Sequence, residues 1–197
     1  MRDQSTLLVR AFELFDSANA EDPNTLLVSG ESQPQPKELV LAKRLTECVL
    51  SLDAEASEEL LLASRCQHIC RWQVPRNTEP MGREGYLKWR SGLKAFHAKK
   101  SAEILRVVGY SDSVIERVKS LNLKQNLKTD PECQLLEDAL CLVFLRYQFD
   151  ALIENTDREK MVRIVKKTWA KMSEAGHEAA HKISYSEEAK LIVSEAL

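Results

Sequence analysis

Glycine and proline supply only six residues each of this 197-residue chain, and so few breakers commit it to long helices rather than to a turn-rich sheet. Apolar residues recur at helical spacing between the breaks. A first helix reads from about Ser5 to Ala20, with Leu7, Leu8, Ala11, Leu14, Phe15 and Ala18 on one side, and stops before Asp22-Pro23-Asn24. Ser29 to Pro36 is a loop, because its two prolines and small polar residues cannot continue a helix. A second helix runs from about Lys37 to Leu52, and Ser57 caps a third over Glu58 to Trp72. After a break at Gln73 to Gly85, a fourth spans Tyr86 to Val108 and ends on Gly109, and Ser111 caps a short fifth through about Leu121. Asp130-Pro131-Glu132 combines a cap, a proline at the first helical position and a first-turn acid, and opens a sixth helix to about Ile153. One more follows Asp157, and a weak final one covers Ile183 to Leu197. The expected fold is all-α: a single helical domain over residues 1–176, with 177–197 as a C-terminal helical appendage, about seven to eight helices in all.

Composition narrows the class of protein. Apolar residues make up 44% and charged residues 29%, and 28 basic residues nearly cancel 30 acidic ones, for a net charge of −2. This excludes a disordered tail, a strongly basic nucleic-acid coat and a low-complexity chain, so a nucleic-acid partner is not expected. No apolar run reaches the roughly 18–20 residues of a membrane span, and Met1-Arg2-Asp3-Gln4 lacks the layout of a signal peptide. A cytoplasmic protein without membrane contact is the expectation. Five cysteines, at 48, 66, 70, 133 and 141, include no Cys-x-x-Cys pair and read as small buried hydrophobes.

Chemistry is best sought where the helical period demands an apolar residue and an ionisable one stands instead, because burying a charge is costly unless something holds it. Asp138 shares a face with Leu135, Leu142, Leu145 and Phe149, and Glu38 heads the stripe Leu41, Leu45, Cys48, Leu52. His97 lies with Leu93, Ile104 and Val108, and His68 sits at the border of two apolar faces of the third helix. Two imidazoles and two carboxylates on four helices suit a divalent transition metal if a bundle core brings them together. The competing reading of each is a hydrogen-bonded core residue or a capping acid. A second concentration surrounds the Gln73 to Gly85 loop: Arg65, Arg71, Trp72, Arg76, Arg83, Tyr86, Trp89 and Arg90. Guanidinium forks bind phosphate in bidentate fashion, and the aromatics can stack on a base or on the guanidinium itself. Lys124 and Lys128 add positive charge. Arg71, Arg76, Arg83, Arg90 and Lys124 are therefore the expected contacts of a small anionic or phosphorylated ligand.

Several motifs together carry a family resemblance: Gln67-His68-Ile69-Cys70-Arg71-Trp72, Gly82-Arg83-x-Gly85-Tyr86-Leu87-x-Trp89-Arg90, Gln134-Leu135-Leu136-Glu137-Asp138 and Lys167-Thr168-Trp169-x-Lys171-Met172-Ser173. They resemble an uncharacterised-domain family whose members are often automatically labelled glutamyl-tRNA synthetase. The resemblance covers about Thr6 to Gly176 and implies no established activity. More distantly, the order of features is similar to the HD phosphohydrolase superfamily, and implies an HD-like orthogonal bundle. His68 matches the histidine of the family's His-Asp pair, with Ile69 where the aspartate belongs, and His97 matches an additional histidine. Asp138, beside Glu137, matches the closing aspartate, and Glu38 falls where the first histidine is expected.

The HD resemblance implies a divalent metal held by His68, His97, Asp138, Glu38 and Glu137, with His68 and Asp138 as catalytic residues. A metal-activated water would then hydrolyse a phosphorylated small molecule or nucleotide. Two of the four usual ligand types are replaced, so the alternative is a non-catalytic helical binding or interaction module with a degenerate HD site.

Two further motifs compete. His177-Glu178-Ala179-Ala180-His181 matches the H-E-x-x-H zinc motif, but no sheet precedes it to form a cleft, and it reads as a solvated helix face. Lys171-Met172-Ser173 and His68-Ile69 echo fragments of the synthetase signatures KMSKS and HIGH, yet Cys70 replaces the glycine and Glu174 follows the serine. A helical chain lacks the α/β fold that synthetase chemistry uses, so that function is rejected.

Overall fold

Helix starts in the computed structural model, which describes residues 6–28, 30–127 and 129–197, largely follow the caps legible in the sequence. Ser57 Oγ accepts the Leu60 N–H at 3.1 Å, and Asp130 Oδ1 accepts those of Glu132 and Cys133 at 3.1 and 3.3 Å, with Pro131 opening the helix. Each such cap is worth about 1 kcal/mol. Ser111 precedes its helix as expected, but its hydroxyl meets Ser113 Oγ at 2.9 Å instead of capping. Gly109 closes its helix in the left-handed region, φ 103°. The readings placed on Met1–Gln4, Ser5, Ser29 and Lys128 lie outside the described residues.

The described residues are overwhelmingly helical and fall into two compact units. The first comprises Met1–Glu47 and Glu55–Gln125. It contains α1 (Thr6–Ala20), the start of α2 (Lys37–Leu52), α3 (Glu58–Cys66), α4 (Arg83–Val108) and α5 (Asp112–Leu123). A two-residue antiparallel pair, β1 (Thr25–Leu26) with β2 (Gln35–Pro36), tightens the connection that the sequence suggested was only a loop. Helix α4 packs on α5 and α1, and α3 packs on the same two helices. Phe15, Leu60, Leu62, Ile69, Leu105, Ile115 and Leu121 are fully buried there. Each contributes about 1.5–3 kcal/mol of apolar burial.

The second unit comprises Cys48–Ala54 and Asn126–Leu197, with α6 (Pro131–Tyr147), α7 (Phe149–Ile153), α8 (Arg158–Trp169), α9 (Glu174–His181) and α10 (Glu187–Ala196). Its core gathers Leu142, Leu145, Phe149, Met161, Val165, Ala180 and Ile192. Residues 177–197 are part of that core through Ala180, Ile183, Ala189, Ile192 and Ala196, so the boundary expected at 176 falls inside the unit.

Among the described residues ten α-helices exceed the expected seven to eight, because the periodic stretches are cut. Gln148, at φ −125° and ψ −11°, ends α6 and lets Phe149 turn in against Phe144 and Tyr185, with centroids 5.7 and 6.3 Å away. The helix begun at Glu58 stops at Cys66, and a turn and a 3-10 segment (Arg71–Gln73) replace its predicted end. Among the described residues no helix is long and apolar enough to cross a membrane.

Asp138 is buried, as its stripe required, and its carboxylate organises the second unit. Its Oδ1 accepts the Ser173 N–H at 2.8 Å and the Gln134 amide at 3.0 Å, while its Oδ2 accepts the Ser173 hydroxyl at 2.5 Å. Ser173 Oγ in turn accepts the Gly176 N–H at 3.2 Å and so caps α9. Gly176 lies so close that a Cβ there would stand 2.8 Å from Asp138 Cγ and Oδ1. Gly176→Ala is therefore expected to lower stability by about 1–3 kcal/mol through overpacking, outweighing alanine's better helix propensity. Urea unfolding followed by circular dichroism checks this; an unchanged midpoint would show that the carboxylate does not depend on that close approach.

Candidate functional site

The candidate site grows out of the turn that ends α3. Its bonds run between residues three apart, Ile69 N–H to Cys66 O, Arg71 N–H to His68 O and Gln73 N–H to Cys70 O, so the backbone tightens instead of continuing the α-helix. Cys70 takes φ 53° and ψ 32°, a left-handed conformation that a residue with a Cβ resists by about 1–2 kcal/mol. Two buried side chains hold it there. Asn19 Oδ1 accepts the Cys70 N–H at 3.0 Å, and His97 Nδ1, 2.8 Å from Ile69 O, donates to that carbonyl. The turn thus projects His68 and Arg71 toward α4.

Beyond the turn, the expected break at Gln73 to Gly85 is ordered by its own bonds. Arg76 donates to the carbonyls of Glu79 at 2.9 Å, Pro80 at 3.0 Å and Gly82 at 3.4 Å. Gly85 allows α4 to begin against this loop, since a Cβ would stand 2.0 Å from Pro80 O. Trp89 Nε1 donates to Val74 O at 3.0 Å, and the Arg71 and Arg76 guanidinium carbons lie 5.4 and 5.9 Å from its ring centroid. The aromatics therefore stack on guanidinium groups, one of the two roles their position allowed.

A cleft of about 90 Å³, partly open to solvent, lies between turn and helix. Gln67, His68, Arg71, Tyr86, Trp89, Arg90, Leu93, Lys94, His97 and Lys124 line it, four cations and no carboxylate. Lys124 is a left-handed C-terminal residue of α5, φ 57°. Arg71 and Arg90 make no ion pair among the described residues; the Arg90 guanidinium meets the Tyr86 hydroxyl at 3.5 Å and lies 5.9 Å from that ring's centroid.

Burial, and secondarily the charge of Arg71, holds the His97 imidazole at a pKa of about 4 against the upward pull of its bond to Ile69. Burial, then Arg71, His97, Lys124 and Arg90, hold His68 well below its ordinary value. Both rings are neutral at pH 7, with centroids 5.8 Å apart. Glu38 is 7% exposed, and burial pushes its carboxyl up to about 7, opposed chiefly by Arg71.

The residues expected to share a metal divide into separate networks. His68 and His97 stand together, and Glu38 is buried where Arg71 acts on it, its backbone N–H donating to Asp22 Oδ2 at 3.0 Å. Asp138 has both oxygens engaged by Ser173 and Gln134, and Glu137 lies 3.6 Å from Lys171 Nζ. Among the described residues no three His, Cys, Asp or Glu side chains gather as a metal site needs. Of the expected anion contacts, Arg71, Arg90 and Lys124 line the cleft, Arg76 is taken by loop carbonyls, and Arg83 is exposed and outside the lining. Arg65 pairs in bidentate fashion with Asp16 at 2.7 and 2.8 Å.

The H-E-x-x-H face is largely exposed, with Glu178 and His181 in solvent and His177 half-buried, and its two histidines contact Trp169. His177 stacks on that ring at 4.3 Å and 6° and donates from Nε2 to Trp169 O at 2.9 Å, while His181 meets the ring edge-on at 5.1 Å. All five thiols are free and four are buried, with Cys66 pushed by burial to about 12, which makes it inert.

Three amides, Asn19, Gln67 and Asn122, are buried without carrying a charge that would single them out in the sequence. The signal was present, since Leu8-Ala11-Phe15-Asn19, Leu60-Ser64-Gln67 and Ile115-Val118-Asn122 each keep helical spacing on a buried face.

Residues 9–193 match the model of a family described as a domain of unknown function, DUF4202, in keeping with the uncharacterised-domain resemblance. No curated protein and no solved structure matches the chain.

Asn19→Ala should cost about 1–3 kcal/mol, because it strands the Cys70 N–H in the interior; an unfolding midpoint equal to wild type would refute the support assigned to Asn19. The fold favours protonated Glu38, so this stabilisation is complete below pH 4.5 and is lost as pH rises through about 7. Neutral His97 is favoured in the opposite sense, its contribution being present above pH 6.5 and lost as pH falls through about 4. The stability of Glu38→Gln relative to wild type should therefore rise between pH 5 and 8, by at most about 3 kcal/mol. A pH-independent difference in urea titrations would show that Glu38 does not titrate in this window.

Proposed function

We propose that the chain, which belongs to the DUF4202 family, binds a small phosphorylated ligand in the cleft between the 67–71 turn and α4. The observation that carries this reading is the lining: Arg71, Arg90, Lys94 and Lys124 with no acid among them. Four cations lining one small cleft repel one another, and an anion bound among them relieves that repulsion. Two arginines supply planar forks suited to phosphate oxygens.

Metal-dependent hydrolysis of HD-like type is the second reading. His68 and His97 support it, because neutral imidazoles are the form that ligates a divalent metal. The dispersal of Asp138 and Glu137 into their own hydrogen bonds and ion pair weighs against it. The binding module therefore ranks first. Metal analysis of the purified protein discriminates, since one tightly held transition-metal ion would restore the hydrolase reading.

Titration calorimetry with inorganic phosphate and phosphomonoesters is expected to give binding that weakens as salt rises. Arg71→Met and Arg90→Met should each weaken it about ten- to hundredfold, the loss of charge-assisted hydrogen bonds worth about 1.5–3 kcal/mol, with circular dichroism unchanged. Absence of binding to every phosphate compound by the wild-type protein would overturn the proposal.

A further inference from the structure

Two polar atoms of the cleft residues have no use in holding an anion. His97 Nε2 and Gln67 Oε1 are buried and have no hydrogen-bond partner among the described residues. Both are acceptors. His97 donates from Nδ1 to Ile69 O, and the ring is neutral, so Nε2 carries a bare lone pair. The Gln67 amide nitrogen faces Asn122 O at 3.4 Å, and the reversed amide would set two carbonyl oxygens against each other, so the oxygen is the group left over. A phosphate oxygen would be repelled by either atom. An ammonium group would be repelled by the four cations of the same lining. A neutral O–H satisfies both constraints.

We infer that the cleft takes a phosphomonoester bearing hydroxyl groups, its phosphate held by Arg71, Arg90 and Lys124 and its hydroxyls donating to His97 Nε2 and Gln67 Oε1. This rests on the anion-binding reading and narrows its ligand to phosphorylated polyols and sugars. The turn makes it economical in residues: His97 supports Ile69 with one ring nitrogen and reads the ligand with the other.

The test compares propyl phosphate, which has no hydroxyl, with glycerol 3-phosphate and ribose 5-phosphate by titration calorimetry, using the full chain. At least one hydroxyl-bearing probe is expected to bind about tenfold or more tighter than propyl phosphate, the scale of satisfying a buried unpaired acceptor. His97→Asn keeps a donor near the Nδ1 position and removes Nε2, and Gln67→Met removes Oε1 at similar volume. Each should bring the ratio toward one; the ratio rather than the propyl phosphate affinity is the readout, because both residues belong to the cleft. If one variant fails to fold, the other and the wild-type ratio still decide. Equal affinity for all three probes overturns the inference and leaves the anion site standing, whereas no binding of any phosphate overturns both. A transition metal retained by wild type and lost in His97→Asn also overturns the inference, because Nε2 is then a metal ligand.

Discussion

A carbonyl and an N–H on adjacent residues, Ile69 and Cys70, are buried outside any helix, and the candidate site depends on their finding partners. His97 and Asn19 supply them from α4 and α1. An unpaired buried backbone group costs about as much as a substantial part of a domain's stability margin, so these two bonds decide whether the chain leaves α3 at this point. With them in place, the backbone accepts a left-handed cysteine, Arg71 comes under the influence of Glu38, and His68 meets His97. Without them, the periodic stretch from Glu58 would be free to continue as the single helix its apolar spacing suggests.

The second unit uses the same physics with different groups. Asp138 occupies an apolar stripe because Ser173 and Gln134 bring three donors to it, and through Ser173 it fixes the start of α9. The Lys171-Met172-Ser173 segment is accordingly a cap and an anchor: Lys171 O accepts from Gln134 at 2.8 Å and its ammonium stands near Glu137. A buried acid with a full set of donors stabilises one arrangement of helices. A cleft lined by cations does not, which is why the proposed ligand is assigned to the first unit's cleft and none to the second unit's carboxylate.

How much was legible follows from what periodicity reports. Asp138, His97 and Glu38 are buried, as their places on apolar faces required. Their convergence was a separate assumption, and spacing along a helix says which face a residue is on but not what that face meets. Asn19, Gln67 and Asn122 obey the same spacing rule but carry no charge to mark them, yet Asn19 holds the turn, Gln67 lines the cleft and Asn122 donates to Cys66 Sγ at 3.1 Å. The arginines show the same limit, since Arg71 and Arg76 are close in sequence and equally basic, but only loop carbonyls within hydrogen-bond reach consume Arg76.

By itself the sequence determined the helical class, most helix starts, the inert cysteines and the polar residues that had to be buried, because caps, breakers and helical spacing act over a few neighbouring residues. Tertiary structure alone decided that α3 ends at Cys66, that Asp138 and Glu137 serve the second unit's own packing, and that one cleft collects cations with two unsatisfied acceptors. Those outcomes depend on partners such as Asn19 for Cys70, 51 residues apart, and Ser173 for Asp138, 35 apart. A hydrogen bond across such separations depends on where the helices come to lie, and no local pattern encodes that.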